Sequence, residues 1–326
     1  MDGLKASLDR ARGIRKGQTL PVKTKLIAAS TGILTAGKRY IFWFYLLNLA
    51  FAGSGATAFS KSAHGILDHS LYADRLLHGL DLAVLEEMLE RPEFGPRRSS
   101  EAPALGFAFL FFLACLLFMP GVLLGYSSDH RISSEEFFRA CGRNVWRFLR
   151  LAVVFALMAG IATTVGFFIE GGLMNVVDQS PQNDRLLSLV ESLSLGLTFL
   201  LLTAIRMWFD LAETDVVLRD QRAVRKSILW AFRATLRNFF RLLGTYLLAA
   251  ITGALLLLGG IFLWRILVPP ANLVGAFLVS QITLLLLLAS RFWQRAIAVA
   301  FYQRISRERR IELSSTAIRV PALPAP

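Results

Sequence analysis

The chain has 326 residues, of which 55% are hydrophobic and only 18% are charged. This apolar share exceeds that of an ordinary soluble domain, so a purely water-soluble fold is excluded. The net charge of +13 would suit a nucleic-acid-binding protein, but the basic residues lie beside apolar segments, where anionic lipid headgroups attract them, and no nucleic-acid partner is expected.

The apolar residues form blocks of about 20 residues, the length that an α-helix needs to cross about 30 Å of hydrocarbon. Hydrocarbon requires every backbone polar group to be paired within the protein, and strand-like alternation is absent. We therefore predict an all-α, polytopic helical membrane protein. The six predicted transmembrane helices are, in chain order, residues 40–59, 104–126, 149–169, 186–209, 242–266 and 271–290.

The distribution of Lys and Arg predicts the orientation of these helices. With the N-terminus inside, the cytoplasmic segments hold 28 Lys and Arg, whereas the opposite side holds seven. Because cytoplasmic loops carry the excess of basic residues, both termini are predicted to be cytoplasmic (N-in/C-in) in a bacterial inner membrane. The predicted organisation is a basic tail (1–39), a six-helix domain (40–302) with an extracytoplasmic helical loop (60–101), and a second basic tail (303–326).

The predicted extracytoplasmic loop contains three of the four histidines. If the loop is helical, His64 and Asp68 are spaced i, i+4, as are Asp74 and His78, and this spacing can hold a metal ion. An apolar stripe runs along the same segment, which favours an amphipathic helix that caps the bundle. These four residues are therefore weak metal candidates, and no cofactor is predicted.

Two related basic stretches, residues 133–151 and 224–243, precede the predicted spans 149–169 and 242–266. In a helical projection of each stretch, large apolar residues occupy one side and basic residues lie outside it, so both are predicted to be amphipathic helices on the cytoplasmic membrane surface. Ser133 and Glu136 form a capping box that predicts where the first begins. The predicted membrane-surface contacts are Arg139, Arg143, Arg147, Arg150, Lys226, Arg233, Arg237 and Arg241.

A shift of 91 residues aligns the two basic stretches and also aligns Arg131 with Arg222. The predicted repeating unit is a span, a surface helix and a second span, as in parallel membrane repeats. The alternative is that two loops acquired the ordinary composition of interfacial helices independently.

Few polar residues fall inside the predicted spans, where an ionised group is costly. Glu191 with Asn48 and Gln281 is the one constellation that could couple a proton to transport, and structural hydrogen bonding is the other interpretation. Arg206 is expected near the inner surface, where its side chain can extend to the headgroups. The intramembrane polar candidates are thus Asn48, Glu191, Arg206 and Gln281.

The segments VVLRDQRAVRKSILWAFRATLRNFFRLLGTYLL (216–248) and AFYQRISRERRIE (300–312) resemble parts of the six-helix membrane region of bacterial glycerophosphoryl diester phosphodiesterase membrane-domain proteins. The resemblance implies a six-helix fold with a surface helix before the fifth span. The catalytic part of those phosphodiesterases is a separate barrel, for which this chain has no room, so their activity is not expected here.

No convergent catalytic constellation is present in the sequence. The predicted function is that of a non-enzymatic integral membrane protein that organises partners or lipids at the cytoplasmic membrane surface. Its expected partners are membrane lipids, anionic headgroups above all, and another membrane protein. The alternatives are a transporter or permease for a small solute or lipid, with Glu191 as the coupling carboxylate, and a membrane enzyme acting on lipid headgroups.

Overall fold

The computed structural model describes residues 26–67, 97–128, 130–177, 184–269 and 272–318. Within these ranges every regular element is a helix. The eight helices are α1 (Leu26–Ala36), α2 (Lys38–Leu67), α3 (Arg97–Ser127), α4 (Ser134–Val177), α5 (Asp184–Leu218), α6 (Val224–Arg237), α7 (Phe239–Leu267) and α8 (Leu273–Ile318).

Five of the described helices contain segments long and apolar enough to cross a membrane, which indicates a multi-pass membrane protein. Each of these segments overlaps one of the second to sixth predicted spans. The first predicted span, residues 40–59, lies in α2, which is not among the five. The five segments are Leu105–Ser127, Ser134–Gly172, Ser192–Leu218, Phe239–Leu267 and Val274–Glu308.

The structure corrects the predicted boundary between the first basic stretch and the span that follows it. The sequence predicts a surface helix that turns into a span near residue 149, but α4 is a single helix of 44 residues. No Gly or Pro lies between Arg143 and Leu157 to end a helix. Asn144 could act as a cap, but its side chain donates a hydrogen bond to the Ala140 carbonyl of the same helix.

Two further helices extend past their predicted ends. The predicted span 186–209 ends just before Asp210, yet α5 continues to Leu218. The predicted span 271–290 ends just before Arg291, yet α8 continues to Ile318. Hydropathy ends a span where charges begin, whereas helix propensity continues through Leu, Ala, Glu and Arg. The charged residues after both spans are therefore helical rather than part of loops.

The chain divides into two compact units. The first consists of the described parts of residues 1–37, 120–247 and 293–326. In this unit α4 packs along α5, and α5 packs against α6. Residues 294–302 of α8 are all buried, on every side of the helix. A helix segment that is buried all round lies at the centre of its neighbours, so this part of α8 is the core of the first unit.

The second unit consists of the described parts of residues 38–119 and 248–292. Here α7 and α8 approach closely: the Ser290 hydroxyl donates a 2.9 Å hydrogen bond to the Ala249 carbonyl. A Cβ on Gly260 would lie 2.3 Å from Thr283 Oγ1, so glycine is required there. The rings of Phe44 and Phe292 pack edge to face with centroids 5.1 Å apart, which joins α2 to α8. Small residues and aromatic packing therefore hold this unit together.

Candidate functional site

The end of α5 places three carboxylates five residues apart, at Asp210, Asp215 and Asp220. A spacing of five turns a helical residue by about 140° relative to its predecessor, so Asp210 and Asp215 leave the helix in different directions. Asp220 lies just beyond the last residue of the helix, Leu218. Each carboxylate binds a different part of the first unit, which makes the end of α5 a hub.

Asp210 is fully buried and joins three helices. Its Oδ1 atom lies 3.0 Å from Arg206 Nε on α5 and 3.1 Å from Arg295 Nη1 on α8. The Tyr246 hydroxyl on α7 donates a 3.0 Å hydrogen bond to its Oδ2 atom. Arg295 also forms an ion pair with Glu213. Two guanidinium groups thus balance two carboxylates, as a buried charge cluster requires.

These groups occupy the same end of their respective spans. At 1.5 Å per residue, Asp210 lies about 27 Å from Ser192, where its candidate span begins, and Arg295 lies about 32 Å from Val274. A hydrocarbon layer is about 30 Å thick. Asp210 and Arg295 therefore both lie about one hydrocarbon thickness from the first residue of their candidate spans.

Asp215 connects α5 to α8 through a tyrosine. The Tyr302 hydroxyl donates a 3.1 Å hydrogen bond to Asp215 Oδ1 and accepts one of 2.9 Å from Arg219 Nε. Arg219 also pairs with Asp215 at 3.1 Å. Its guanidinium lies 5.0 Å from the centre of the Trp230 ring, in a cation–π contact that brings in α6.

Asp220 connects the loop after α5 to α4. Arg147 Nη1 donates a 2.6 Å hydrogen bond to Asp220 Oδ1, and Arg143 lies 3.5 Å from Oδ2. The hydrogen bond from Arg147 lowers the pKa of Asp220, and the charges of Arg143, Arg147 and Arg222 act in the same direction. Asp220 has a left-handed backbone with φ of 52°, a conformation that aspartate tolerates better than most residues.

The predicted membrane contacts of the first basic stretch are largely engaged within the protein. Arg143 and Arg147 bind Asp220, and only 14% of the Arg147 side chain is exposed. Arg139 binds Glu135 one turn earlier in α4. Arg150 is exposed. The first stretch therefore differs from the second in how its arginines are used.

Helix α6 has three distinct faces. Its buried face consists of small side chains packed against the first unit. A second face carries large apolar side chains that stay exposed. A third carries exposed basic side chains. The buried face is Val224, Ser227, Ala231, Ala234 and Thr235. The exposed apolar row is Leu229 (57% exposed), Phe232 (42%) and Leu236 (57%), continued at the start of α7 by Phe240 (86%). The exposed basic residues are Arg225, Lys226, Arg233, Arg237 and, on α7, Arg241.

Two tryptophans attach α6 to its neighbours. The Trp208 indole N–H on α5 donates a 2.9 Å hydrogen bond to the Ile228 carbonyl, and the Trp208 ring packs on Phe232. Trp230 packs edge to face on Tyr302 with ring centroids 5.3 Å apart. Trp208 and Trp230 thus hold α6 against α5 and α8.

The remaining predicted site residues are dispersed. The Tyr45 hydroxyl donates a 3.0 Å hydrogen bond to Gln281 Oε1 within the second unit. Asn48 is half-buried on α2. Arg206, expected to extend to the headgroups, binds Asp210 instead, with 35% of its side chain exposed. Glu191 lies on α5, but its side chain is outside the described residues.

The weak metal candidates cannot be placed. Asp68, Asp74 and His78 lie outside the described residues, as does the side chain of His64 at the end of α2. In the part of the chain that is described, no group of three or more His, Cys, Asp or Glu could hold a metal ion.

Sequence reasoning missed the hub because it ended the fourth predicted span at residue 209, before all three carboxylates. The signal was present: Arg206 with Asp210, and Asp215 with Arg219, are opposite charges at i, i+4, the spacing of neighbours on a helix surface. Nothing in the linear pattern linked these pairs to Tyr246 or Arg295, because those contacts are set by helix packing.

No protein-family model, curated protein or solved structure matches the chain. The resemblance to the phosphodiesterase membrane domain therefore stays a prediction, and the function is argued from the geometry of the hub and of α6.

Proposed function

We propose that the protein is a six-span, N-in/C-in protein of a bacterial inner membrane that organises anionic lipids and partner proteins at the cytoplasmic surface without catalysis. The observation that carries this proposal is the exposed surface of α6, where an apolar row lies beside five basic residues on or next to one short helix. A helix of this composition binds the interface between headgroups and acyl chains.

The hub supports this role because it fixes where α6 lies. Asp210, Asp215 and Asp220 join α5 to α7, α8 and α4 near the basic end of the spans. Trp208 and Trp230 then attach α6 to α5 and α8. The small residues of α6 face the protein, so its large apolar side chains remain available to acyl chains.

Charge supports the same role and the proposed orientation. The basic residues of α6 are exposed, and each basic residue near an anionic leaflet gains about 1 kcal/mol. Three of the four α4 arginines, Arg139, Arg143 and Arg147, bind Asp220 or Glu135 and contribute less to such a surface. The two basic stretches thus have different functions: the stretch in α6 contacts lipid, and the stretch in α4 joins α4 to Asp220 after α5.

This difference provides a matched experiment. The double change Arg233→Gln and Arg237→Gln removes two exposed charges from α6. The double change Arg143→Gln and Arg147→Gln removes the two charges that pair with Asp220. Binding of phosphatidylglycerol to each purified variant is measured by native mass spectrometry, and thermal stability in the same detergent is measured alongside.

We expect the α6 variant to lose about tenfold or more in affinity for phosphatidylglycerol while keeping its melting temperature, since two charges contribute about 2 kcal/mol. The α4 variant should keep its lipid affinity and melt at a lower temperature. Unchanged lipid affinity in the α6 variant, or equal losses in both, would contradict the proposal.

A further inference from the structure

We propose that α6 is a charge-sensing element, ordered and docked on α5 when the facing leaflet is anionic and frayed from its N-terminus when the leaflet is neutral. This inference rests on the proposed function, since it assumes that α6 lies at the membrane surface. It adds a dependence of the helix itself on headgroup charge.

The first argument is the electrostatics at the start of α6. The N-cap residue is Ala223, which provides no side-chain hydrogen bond, and the first turn contains no acidic residue. Arg222, Arg225 and Lys226 surround this end of the helix. Because a helix N-terminus already carries partial positive charge, these cations disfavour the helix in a neutral setting.

The related stretch in α4 begins in the opposite way. Ser133 accepts a hydrogen bond from the Glu136 N–H at 3.2 Å, and Glu136 accepts one from the Ser133 N–H at 3.1 Å. Glu135 and Glu136 both lie in its first turn. The start of α4 is thus stabilised by its own cap and first turn, whereas the first turn of α6 has neither a side-chain cap nor an acidic residue.

The second argument is the weakness of the face that docks α6. Ser227 Oγ and Thr235 Oγ1 are buried there without a hydrogen-bond partner. Buried hydroxyls without partners oppose docking. The other side chains of this face are small, so the attachment depends on Trp208 and Trp230.

The third argument is the break that follows α6. A single residue, Asn238, separates α6 from α7, and its N–H bonds to the Thr235 carbonyl at 3.2 Å. In the related stretch α4 continues without interruption into its span. A one-residue break lets α6 lose order without disturbing the helical hydrogen bonds of α7.

An anionic leaflet reduces the charge repulsion at the start of α6. The exposed apolar row keeps α6 at the interface, where lipid phosphates can neutralise Arg222, Arg225 and Lys226. The start of α6 then gains the negative charge that its first turn lacks. Headgroup charge is in this way converted into order of α6 and into its contact with the hub.

Hydrogen–deuterium exchange of the full chain tests the inference in nanodiscs of phosphatidylcholine alone and of phosphatidylcholine with phosphatidylglycerol. We expect amides 226–237 to exchange at least tenfold more slowly in the anionic nanodiscs, with amides 205–218 of α5 unchanged as an internal reference. Equal exchange of 226–237 in both lipids would overturn the inference, even if phosphatidylglycerol binding depends on Arg233 and Arg237 as proposed above.

Two variants separate the cause from a general lipid effect. Ala223→Ser adds a neutral cap, and the triple change Arg222→Gln, Arg225→Gln and Lys226→Gln removes the repelling charges. Both should slow exchange of 226–237 in neutral nanodiscs to within about threefold of the anionic value. Ser133→Ala, which removes the cap of α4, should leave the lipid dependence of α6 as in the wild type. Fast exchange of both α6 variants in neutral lipid would overturn the inference.

Discussion

Asp210 shows why a membrane protein keeps a buried charge cluster that apolar residues could replace. Within lipid, the hydrophobic effect does not drive helices together, so interhelical polar contacts and close packing determine their register. Tyr246 and Arg295 both bind the Asp210 carboxylate, one at each oxygen atom. A slip of either helix by one residue would separate its side chain from Asp210. The cluster therefore specifies how α5, α7 and α8 align.

Removing one member of this cluster should be far more harmful than removing two. Asp210→Ala leaves two guanidinium groups, those of Arg206 and Arg295, with one carboxylate, that of Glu213, and we expect about 3–5 kcal/mol of destabilisation. Asp210→Ala combined with Arg295→Met restores equal numbers of positive and negative charges and should be more stable than Asp210→Ala alone. Thermal unfolding in detergent measures both variants and the single change Arg295→Met. Losses that simply add up in the double variant would show that the two side chains are not coupled.

Asp220 gives a prediction for pH. Its pKa is lowered in the folded protein from an ordinary value of 3.8, chiefly by the hydrogen bond from Arg147. A lowered pKa means that the carboxylate stabilises the fold above its ordinary value and that this contribution is lost as the pH falls through the folded value. Asp220→Asn tolerates the same left-handed backbone but carries no charge.

We therefore expect Asp220→Asn to lower the melting temperature by about 1–2 °C near neutral pH, since half of the Asp220 side chain is exposed and solvent screens its charge. The difference from the wild type should shrink as the pH falls below about 4 and vanish at lower pH. Melting curves across the range from neutral to acid pH test this. A difference that stays constant with pH would mean that the Asp220 charge contributes nothing.

At the scale of helices, the two basic stretches show what sequence patterns can predict. Apolar periodicity correctly predicted that each stretch is helical, and the break at Asn238 separates α6 from α7 close to its predicted end. The same pattern missed that α4 is continuous, because Asn144 bonds within the helix instead of capping one. It also missed the buried face of α6, since Ser227, Ala231 and Ala234 are too small to stand out in an apolar pattern.

The hub could be predicted only in part, for a physical reason. Ion pairs at i, i+4 such as Arg206 with Asp210 are visible in the sequence once the helix is known to continue. Contacts such as Asp215 with Tyr302 depend on which faces of α5 and α8 meet. That choice is made by packing across many residues, and no local pattern encodes it.

The pairing of α4 with α5 gives a prediction at the same scale. A Cβ on Gly166 would lie 2.4 Å from Thr198 Oγ1 on α5, whereas a Cβ on Gly160 of the same helix would meet nothing within 4 Å. Gly166→Ala should destabilise the protein by about 1–3 kcal/mol because the helices must separate or Thr198 must rotate. Gly160→Ala should be neutral or slightly stabilising, since alanine favours a helix.

Thermal unfolding of both variants compares the two glycines directly. Thr198→Ala in the Gly166→Ala background should restore most of the loss, because it removes the clashing atoms. If Gly166→Ala and Gly160→Ala behave alike, α4 and α5 do not approach closely at that point.

At the scale of the whole chain, charge and polarity differ between the two compact units. The ion pairs of the hub and the attachment of α6 all belong to the first unit. The contacts described for the second unit are neutral hydrogen bonds, small-residue packing and aromatic packing. Among the described residues, ion pairs thus stabilise the first unit, whereas neutral packing contacts stabilise the second.

The proposed orientation makes a prediction that depends only on counting crossings. Between His130 and Arg222 the chain passes through two candidate spans, in α4 and α5, so both residues should lie on one side of the membrane. Asn272 follows one more, in α7, and should lie on the other side. All three residues are exposed and lie outside the candidate spans. Single cysteines at these positions, in a chain with Cys115 and Cys141 replaced by alanine, can therefore report the side directly.

With a membrane-impermeant maleimide, His130→Cys and Arg222→Cys should react only in inverted vesicles, because Lys and Arg accumulate on the cytoplasmic side. Asn272→Cys should react only in intact cells whose outer membrane has been made permeable. Reaction of all three from one side would mean that α7, which lies between Arg222 and Asn272, does not cross the bilayer. Reversed labelling of all three would keep the crossings but place α6 at the periplasmic leaflet, and the orientation predicted from the positive-inside bias would then be wrong.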